Sequence, residues 1–463
     1  MIPKGDNNVM SIKVAKRSTS SSPPASVVTG MLLFVLILLL APTGAPAVEM
    51  AGTSNTYLQS RESLDGSKLM PIYEYLDFNV QNLGKESLSF HFGGWLGYDL
   101  QDDSFGNDKK KGSDLQYGYL SYRTKEHNAV VNLGRVMVFE GVAAERVDGI
   151  YARTDLMKGF AISAFGGAPV ETNDSALGNS TIYGGRISHQ NGGIYTIGLS
   201  YLNETKDNNE QQNPNATDNV WRREGGIDLW LRPMNKVELT GRSSYNFQTV
   251  GWMEHSYYLL FGPFDKLRVN AEASWISYED YFANATNSAF KMTPGGPLDP
   301  KEKVSILGPE VFYAISKNWS VSVDYKAYDY DIAGSASYYG AKVTYAMPKS
   351  YNAGLSVHKM DGDTDRLKYD EYRIYASKKI GKIDMAIDLL DVKYKEPINE
   401  VTNAYSATIA AGYELKHNLK LGLDVEYSKN PDFDKDVRAF AKVIYRFDTG
   451  GSHAPQDKPK EGK

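Results

Sequence analysis

The feature that most constrains this chain is an alternation of apolar and polar residues that returns in segment after segment between residues 86 and 447. A period of two is the pattern of a β-strand, because successive side chains point to opposite faces. The alternation predicts an all-β chain of about twenty strands, within a range of roughly 18–22. Its clearest apolar positions are Leu267, Val269, Ala271, Ala273 and Trp275, and likewise Leu419, Leu421, Leu423, Val425 and Tyr427.

Short and long connections alternate along the chain. Every second connection is short, as at 125–127, 233–234 and 416–417, and most of the intervening ones are longer and polar. Transmembrane barrels show this order, with short turns at the periplasmic end and long loops outside. An even number of strands would place both termini at the periplasmic end. The predicted long loops are 101–112, 170–179, 204–220, 279–301 and 395–401.

The composition favours a membrane barrel over a soluble β-sandwich. Of 463 residues, 32 are Tyr, 17 are Phe and 6 are Trp, and many of them fall near predicted strand ends, where interfacial girdles lie. The polar strand face carries charges in mid-strand, whereas a sandwich packs its inner faces into an apolar core. A sheet in lipid must also close on itself. We therefore predict a single transmembrane antiparallel up-and-down β-barrel, with a soluble exported barrel or a solenoid as the alternative.

A targeting segment precedes the strands. Residues 31–41 read MLLFVLILLLA, a run too short to cross a bilayer as a helix, which needs about 20 residues. Basic residues precede this run, and Ala45-Pro46-Ala47 follows it in the small-x-small pattern of a cleavage site. We interpret residues 1–47 as a secretory signal peptide, with a signal anchor as the alternative.

The flanks of the predicted barrel are less regular than its centre. Residues 48–85 admit a periplasmic lead-in, an extra strand that includes Tyr73 and Tyr75, or a plug segment inside the barrel. The barrel itself is predicted over residues 86–447. Residues 448–463 are rich in charge, Gly and Pro, and are predicted to form a disordered periplasmic tail.

The last predicted strand ends in an apolar face with two aromatics, Tyr445 and Phe447. This ending resembles the C-terminal assembly signal of Gram-negative outer-membrane proteins, and the chain as a whole resembles their porin-like barrels. In those proteins the aromatic is usually the terminal residue, whereas here residues 448–463 follow it. The resemblance implies residence in the bacterial outer membrane among lipid and lipopolysaccharide, insertion by the barrel-assembly machinery, and a homotrimer as in many porins.

Strand parity assigns a set of charged side chains to the inside of the barrel. The first strands lean basic, because Arg135, Arg153 and Arg186 have no mid-strand carboxylate close by in the sequence. Opposed basic and acidic walls would create a transverse field across a pore, although the same side chains could instead form ion pairs along the wall. The longest loop, 279–301, could constrict the lumen or remain at the surface. The predicted pore-lining residues are Arg135, Arg153, Arg186, Arg242, Arg268, Glu272, Asp324, Arg373, Asp388, Asp424, Glu426 and Lys442.

Several kinds of chemistry are disfavoured by the sequence. The chain has no Cys, which excludes disulfides, Cys-ligated metals and covalently attached haem. None of its seven His residues has metal-ligand spacing, and no nucleophile-elbow motif is present. We predict no enzymatic activity, no cofactor and no metal site. The net charge of -5 argues against a nucleic-acid partner.

Two functions fit these features. The first is a porin-like channel for the passive diffusion of small polar solutes or ions, because barrels of 16–18 strands already leave an aqueous channel. We expect no TonB-dependent receptor, because a plug domain of over a hundred residues does not precede the predicted strands in this sequence. The alternative is a structural sheath that holds a partner in its lumen, such as the multihaem cytochrome of a porin–cytochrome conduit.

Overall fold

The protein is described from a computed structural model. Among the described residues, no helix is long and apolar enough to cross a membrane. The predicted signal peptide (1–47), nearly all of the predicted 279–301 loop beyond its short N-terminal helix, and most of the predicted tail lie outside the described residues. Those residues are 48–63, 66–83, 87–101, 110–124, 126, 128–170, 180–205, 220–281, 299, 301–348, 350–431 and 433–449.

The described residues form one antiparallel sheet of 23 strands, which confirms the all-β prediction. The strands are β1 (Glu49–Glu62), β2 (Lys68–Leu69), β3 (Pro71–Gln81), β4 (Leu88–Asp99), β5 (Lys111–Arg123), β6 (Ala129–Glu140), β7 (Ala143–Asp155), β8 (Phe160–Pro169), β9 (Thr181–Asn191), β10 (Tyr195–Thr205), β11 (Val220–Met234), β12 (Val237–Asn246), β13 (Gly251–Phe264), β14 (Leu267–Ser277), β15 (Lys303–Ala314), β16 (Trp319–Tyr330), β17 (Gly334–Met347), β18 (Tyr351–Gly362), β19 (Tyr369–Ile380), β20 (Ile383–Ile398), β21 (Val401–Lys416), β22 (Leu419–Asn430) and β23 (Phe433–Asp448). A one-turn helix, α1 (Tyr278–Tyr281), follows β14.

The sheet closes into a barrel because its first strand pairs with its last. Gly52 of β1 lies opposite Phe447 of β23, and Ser60 lies opposite Ala439. The two-residue β2 only extends the hairpin between β1 and β3, and the other 22 strands run up and down in chain order. Closure leaves none of these 22 described strands at an edge, as a sheet in lipid requires. The count is close to the predicted twenty; the two additional strands, β1 and β3, occupy residues 48–85, so the barrel begins at Glu49 and not at residue 86.

The two rims of the barrel differ in their connections. At the lower rim, where β1 begins and β23 ends, the connections have two to six residues. The upper rim carries the longer ones, including those after β4 and β14. The long loop predicted at 395–401 is wrong: β20 runs to Ile398 and β21 starts at Val401. Asn399 and Glu400 form a tight turn with φ of 49° and 66°, the mirror-image geometry that suits two-residue hairpins.

The two faces of the barrel wall differ in polarity. Outward apolar side chains such as Leu307, Val323 and Ile374 remain 53% to 61% exposed, as expected of residues that meet lipid. The neighbouring positions Asp324 and Arg373 point inward. A soluble protein places its apolar side chains inside, so this arrangement identifies a barrel that spans a membrane.

One hairpin leaves the wall and folds into the barrel. β5 pairs with β6 only as far as Gly118 and Arg135, and β8 pairs with β7 only as far as Pro169 and Val147. Residues 136–147, here called the inward hairpin, lie at and beyond the ends of these pairings, although β5 itself continues to Lys111 beside β4. The turn of this hairpin reaches the inner face of β10, where the Val142 backbone N–H donates to Ser200 Oγ at 3.0 Å.

A small apolar cluster holds the inward hairpin against the inner wall. The cluster joins one face of the hairpin to side chains of β8, β9 and β10, and all of its members are at most 5% exposed. Because the wall covers the clustered face of the hairpin, the opposite face is turned toward the lumen. On that face Phe139 is 69% and Met137 45% exposed. The members are Val136, Val138, Ala143 and Val147 of the hairpin and Phe165, Ile182 and Leu202 of the wall.

Glycines at the base of the inward hairpin permit the bend. Gly134 on β6 has a φ of 132°, which side chains with a Cβ rarely adopt. On β7, a Cβ added to Gly149 would collide with the Gly166 carbonyl and lie 2.7 Å from the Cα of Gly167. β7 and β8 therefore approach each other here more closely than any other residue allows.

Replacement of this glycine tests the close approach. We expect Gly149→Ala to lower the free energy of unfolding by about 1–3 kcal/mol, the usual cost of forcing a methyl group into filled space. Gly166→Ala is the matched control, because its added Cβ would meet its nearest neighbour at 3.7 Å. Guanidinium unfolding in micelles, followed by tryptophan fluorescence, measures both variants. Equal stabilities would show that the strands do not approach as described.

Candidate pore and its inner wall

Most of the predicted pore-lining side chains share the inner face of the barrel. The cross-strand register and the strand parity place them on the strand face away from the exposed apolar residues. The predicted assembly-signal residues Tyr445 and Phe447 lie on the outer face near the lower rim. The inner-face residues are Arg153, Arg186, Arg242, Arg268, Glu272, Asp324, Arg373, Asp388, Asp424, Glu426 and Lys442.

Arg135 is placed differently from the other eleven. It shares its face of β6 with Leu133, which is 59% exposed, and it sits at the base of the inward hairpin. Its guanidinium donates to both carboxylate oxygens of Asp148, at 2.7 and 2.8 Å, and to the Leu115 carbonyl at 3.0 Å. Arg135 therefore bridges β6, β7 and β5 at the point where the β5–β6 pairing ends.

The charges of the inner face form ion pairs between strands. His358 Nε2 lies 3.0 Å from an oxygen of Asp324, and Arg268 stacks over Phe312 at 4.9 Å from the ring centroid. Ion pairs neutralise many of these charges locally, whereas Arg268 and Glu426 form no ion pair with the described residues. The other pairs are Arg186–Asp228 (2.8 Å), Arg242–Glu254 (2.5 Å), Lys326–Glu272 (2.7 Å), Arg373–Asp388 (2.9 Å) and Lys442–Asp424 (2.7 Å).

The expectation of a basic wall on the first strands is wrong. Each of the three arginines has a carboxylate partner: Asp148 for Arg135, Glu140 at 3.6 Å for Arg153, and Asp228 for Arg186. Asp228 follows Arg186 by 42 positions in the chain, and only the strand register brings the two together. These three arginines therefore do not form a basic half of the wall that would create a transverse field.

Arg222 on β11 holds the inward hairpin through a cluster of ion pairs, and the sequence did not predict it. We call Arg222, Glu145, Glu204 and Glu224 the clasp of the hairpin. Arg222 Nη2 lies 2.7 Å from Oε1 of Glu145 on the hairpin, and the same guanidinium lies 3.0 Å from Glu224 and 3.8 Å from Glu204. These four side chains are only 7% to 21% exposed. One cation thus balances three carboxylates in a poorly hydrated place. No sequence signal links Arg222 to Glu145, because 77 positions separate them.

Aromatic rings form a second feature of the inner face that was not predicted. The Phe440 and Tyr57 rings lie 5.1 Å apart between centroids, Tyr57 and Tyr75 5.4 Å, and Tyr75 and Trp95 6.2 Å. Tyr73 completes the group at 5.7 Å from Trp95. Tyr57 lies opposite both the inner-face Lys442 and Tyr73, which places the group inside the barrel. We call these five residues the aromatic strip.

The short helix α1 lies at the upper rim, next to β12, β13 and β14. The Ser277 hydroxyl donates to a carboxylate oxygen of Asp280 at 2.6 Å, and the Asn246 side-chain amide donates to the Asp280 carbonyl at 3.0 Å. Burial raises the pKa of Tyr281, and the nearby Glu254 carboxylate acts in the same direction. The phenol of Tyr281 is therefore neutral at physiological pH, close to the Arg242–Glu254 pair.

Comparisons with known proteins find likeness in structure only. No protein-family model and no curated protein matches the sequence. The siderophore receptor PirA from Pseudomonas aeruginosa aligns with a TM-score of 0.55 at 14% identity, over 88% of this chain and 81% of that one. A mutant of the ferric enterobactin receptor PfeA from Pseudomonas aeruginosa gives 0.54 at 10% identity, over 88% and 81%. PirA from Acinetobacter baumannii gives 0.53 at 10%, over 87% and 81%. At such identities the likeness establishes the fold, which is that of outer-membrane β-barrels.

Proposed function

We propose that this chain, a β-barrel with the fold of Gram-negative outer-membrane proteins, is an outer-membrane channel for the passive diffusion of small polar solutes. The polarity of the inner face carries the proposal. Charged side chains on that face are stable only beside water or beside opposite charges, and many of them stay partly exposed. Arg373 and Asp388, for example, are 49% and 37% exposed. Barrels of 16–18 strands enclose an aqueous channel, and this barrel has 22 crossing strands.

The inward hairpin would set the size limit of this channel. It projects from β6 and β7 onto the inner face of β10 and β11, so it occupies part of the cross-section. Its lumen-facing side carries Met137 and Phe139. Because many wall charges are paired, we expect the channel to select solutes by their size more than by their charge.

Liposome swelling tests the proposal directly. The mature chain is refolded into liposomes, which are then placed in isotonic solutions of neutral sugars of increasing size. We expect swelling with small sugars and a decline as the sugar approaches the width left by the hairpin. Liposomes with heat-denatured chain provide the baseline. Folded barrel that permits no swelling with any sugar would contradict the proposal.

A further inference from the structure

The rings of the aromatic strip form a continuous row on the inner wall. Its rings follow one another at centroid distances of 5.1 to 6.2 Å across β23, β1, β3 and β4. Tyr73 and Tyr75 stand two positions apart on β3, so the strip also runs along the strand toward the lower rim. There the Tyr117 hydroxyl donates to Asp77, the next inner-face residue of β3, and Tyr119 stacks on His91 at 4.9 Å. Aromatic rings therefore line this part of the inner wall both across the strands and along β3.

The strip lies beside the passage that the inward hairpin narrows. Trp95 on β4 is directly opposite Asp114 on β5, and Asp114 forms a 2.6 Å ion pair with Arg146 of the hairpin. Arg146 in turn is the cross-strand neighbour of Met137, which is exposed to the lumen. The narrowed part of the lumen is thus bordered by aromatic rings on at least one side.

The chemistry of the strip favours a neutral ligand with both apolar and hydroxyl-bearing surfaces. The charged groups next to it are engaged within the wall: Lys442 pairs with Asp424, Arg146 pairs with Asp114, and Asp77 accepts a hydrogen bond from Tyr117. A purely aliphatic ligand would gain nothing from the hydroxyl groups of Tyr57, Tyr73 and Tyr75. The ring faces provide flat apolar area, and the hydroxyls provide donors and acceptors at the ring edges. A pyranose ring offers the complement, with C–H groups on its faces and hydroxyls around its edge.

We propose that the aromatic strip binds linear neutral oligosaccharides and guides them through the channel. The guidance of oligosaccharides through the channel rests on the proposed channel function. The binding site itself rests only on the geometry of the strip. Successive rings are spaced like successive sugar units of a linear chain, so an oligosaccharide can slide from one ring to the next. A single sugar contacts fewer rings and binds more weakly.

Calorimetric titration with maltohexaose tests the site. The full-length folded chain is used in a zwitterionic detergent, because sugar-based detergents would compete. We expect saturable binding by the wild type and a loss of affinity of about tenfold in Trp95→Ala and in Tyr75→Ala, since tenfold corresponds to about 1.4 kcal/mol. Tyr75→Leu is a second variant that keeps apolar volume without a ring face, and we expect the same loss from it.

Two controls separate recognition from general effects. Trp319→Ala removes an outward-facing, 47% exposed indole whose ring centroid lies 5.0 Å from that of Tyr345, and it should leave maltohexaose affinity unchanged. A polyethylene glycol of matched size should give no saturable heat. Heat-modifiable migration in gels confirms that each variant is folded.

The outcomes distinguish this inference from the proposed function. Swelling of liposomes without saturable maltohexaose binding would overturn the oligosaccharide site and leave the channel intact. Binding without swelling would support the site and contradict the channel. An equal loss of affinity in Trp319→Ala and Trp95→Ala would also overturn the site, because the outer face cannot contact a solute in the lumen.

Discussion

A variant without the inward hairpin should conduct ions about twofold better or more than the wild type, because the hairpin occupies lumen that a barrel of this size otherwise leaves to water. Val136 and Val147 are directly paired, so a two-residue Asn-Gly turn can join them and replace residues 137–146. Arg186 keeps its partner Asp228, and Arg222 keeps Glu224 and Glu204. Single-channel conductance in a planar bilayer measures the effect.

A milder variant controls for the chemistry of the hairpin surface. Met137→Ser with Phe139→Ser changes both exposed side chains on the lumen-facing side but keeps the backbone of the hairpin. Its conductance should stay close to that of the wild type, because the obstructing backbone remains. If removal of residues 137–146 left conductance unchanged in a folded barrel, the hairpin would not lie in the conducting path.

The second large effect is expected at the clasp of the hairpin. Arg222→Gln should lower the free energy of unfolding by about 3–5 kcal/mol, the usual cost of removing one partner from a buried ion pair. Three carboxylates, from Glu145, Glu204 and Glu224, would then face one another with little access to water. Denaturant unfolding of the barrel in micelles measures the change.

A matched arginine on the same wall provides the comparison. Arg373 pairs with Asp388 as closely as Arg222 pairs with Glu145, but its side chain is 49% exposed against 21%. Arg373→Gln should therefore cost no more than about 1 kcal/mol. Glu224→Gln in the Arg222→Gln background should restore part of the stability, because it removes one of the repelling charges. Equal costs for the two arginine variants would show that the clasp is as hydrated as the open wall.

The fold could be predicted from the sequence because apolar and polar residues alternate along most of the strands. Leu419, Leu421 and Leu423 reveal their common face without any knowledge of partners, and so does the polar series between them. β1 and β3 were harder to recognise, because the outward face of β1 carries Ser54 and Thr56, whose hydroxyls donate to Glu74 at 2.6 Å. Polar residues at outward positions weaken the apolar signal on which the strand assignment depends.

The electrostatics and the constriction could not be predicted, because both depend on contacts between distant segments. Parity placed Arg186 on the inner face, but only the register of β9, β10 and β11 shows that Asp228 neutralises it. The inward hairpin begins with an unbroken apolar run, Val136–Phe139, which does not by itself reveal that the segment leaves the wall. Close backbone contacts at Gly149 and the ion pairs of Arg222 accompany this departure, and both depend on distant segments. The 279–301 loop that was considered for the constriction lies largely outside the described residues, so its role stays a prediction.

Single-channel recording of the refolded mature chain tests the central claim, that the lumen is an open aqueous passage. The account predicts stable current steps proportional to salt concentration, with a small reversal potential in a KCl gradient, because many of the described wall charges are paired. A barrel that is folded and inserted but passes no current would contradict the account. It would indicate a closed lumen or one built to hold a partner, such as the cytochrome of the sheath hypothesis.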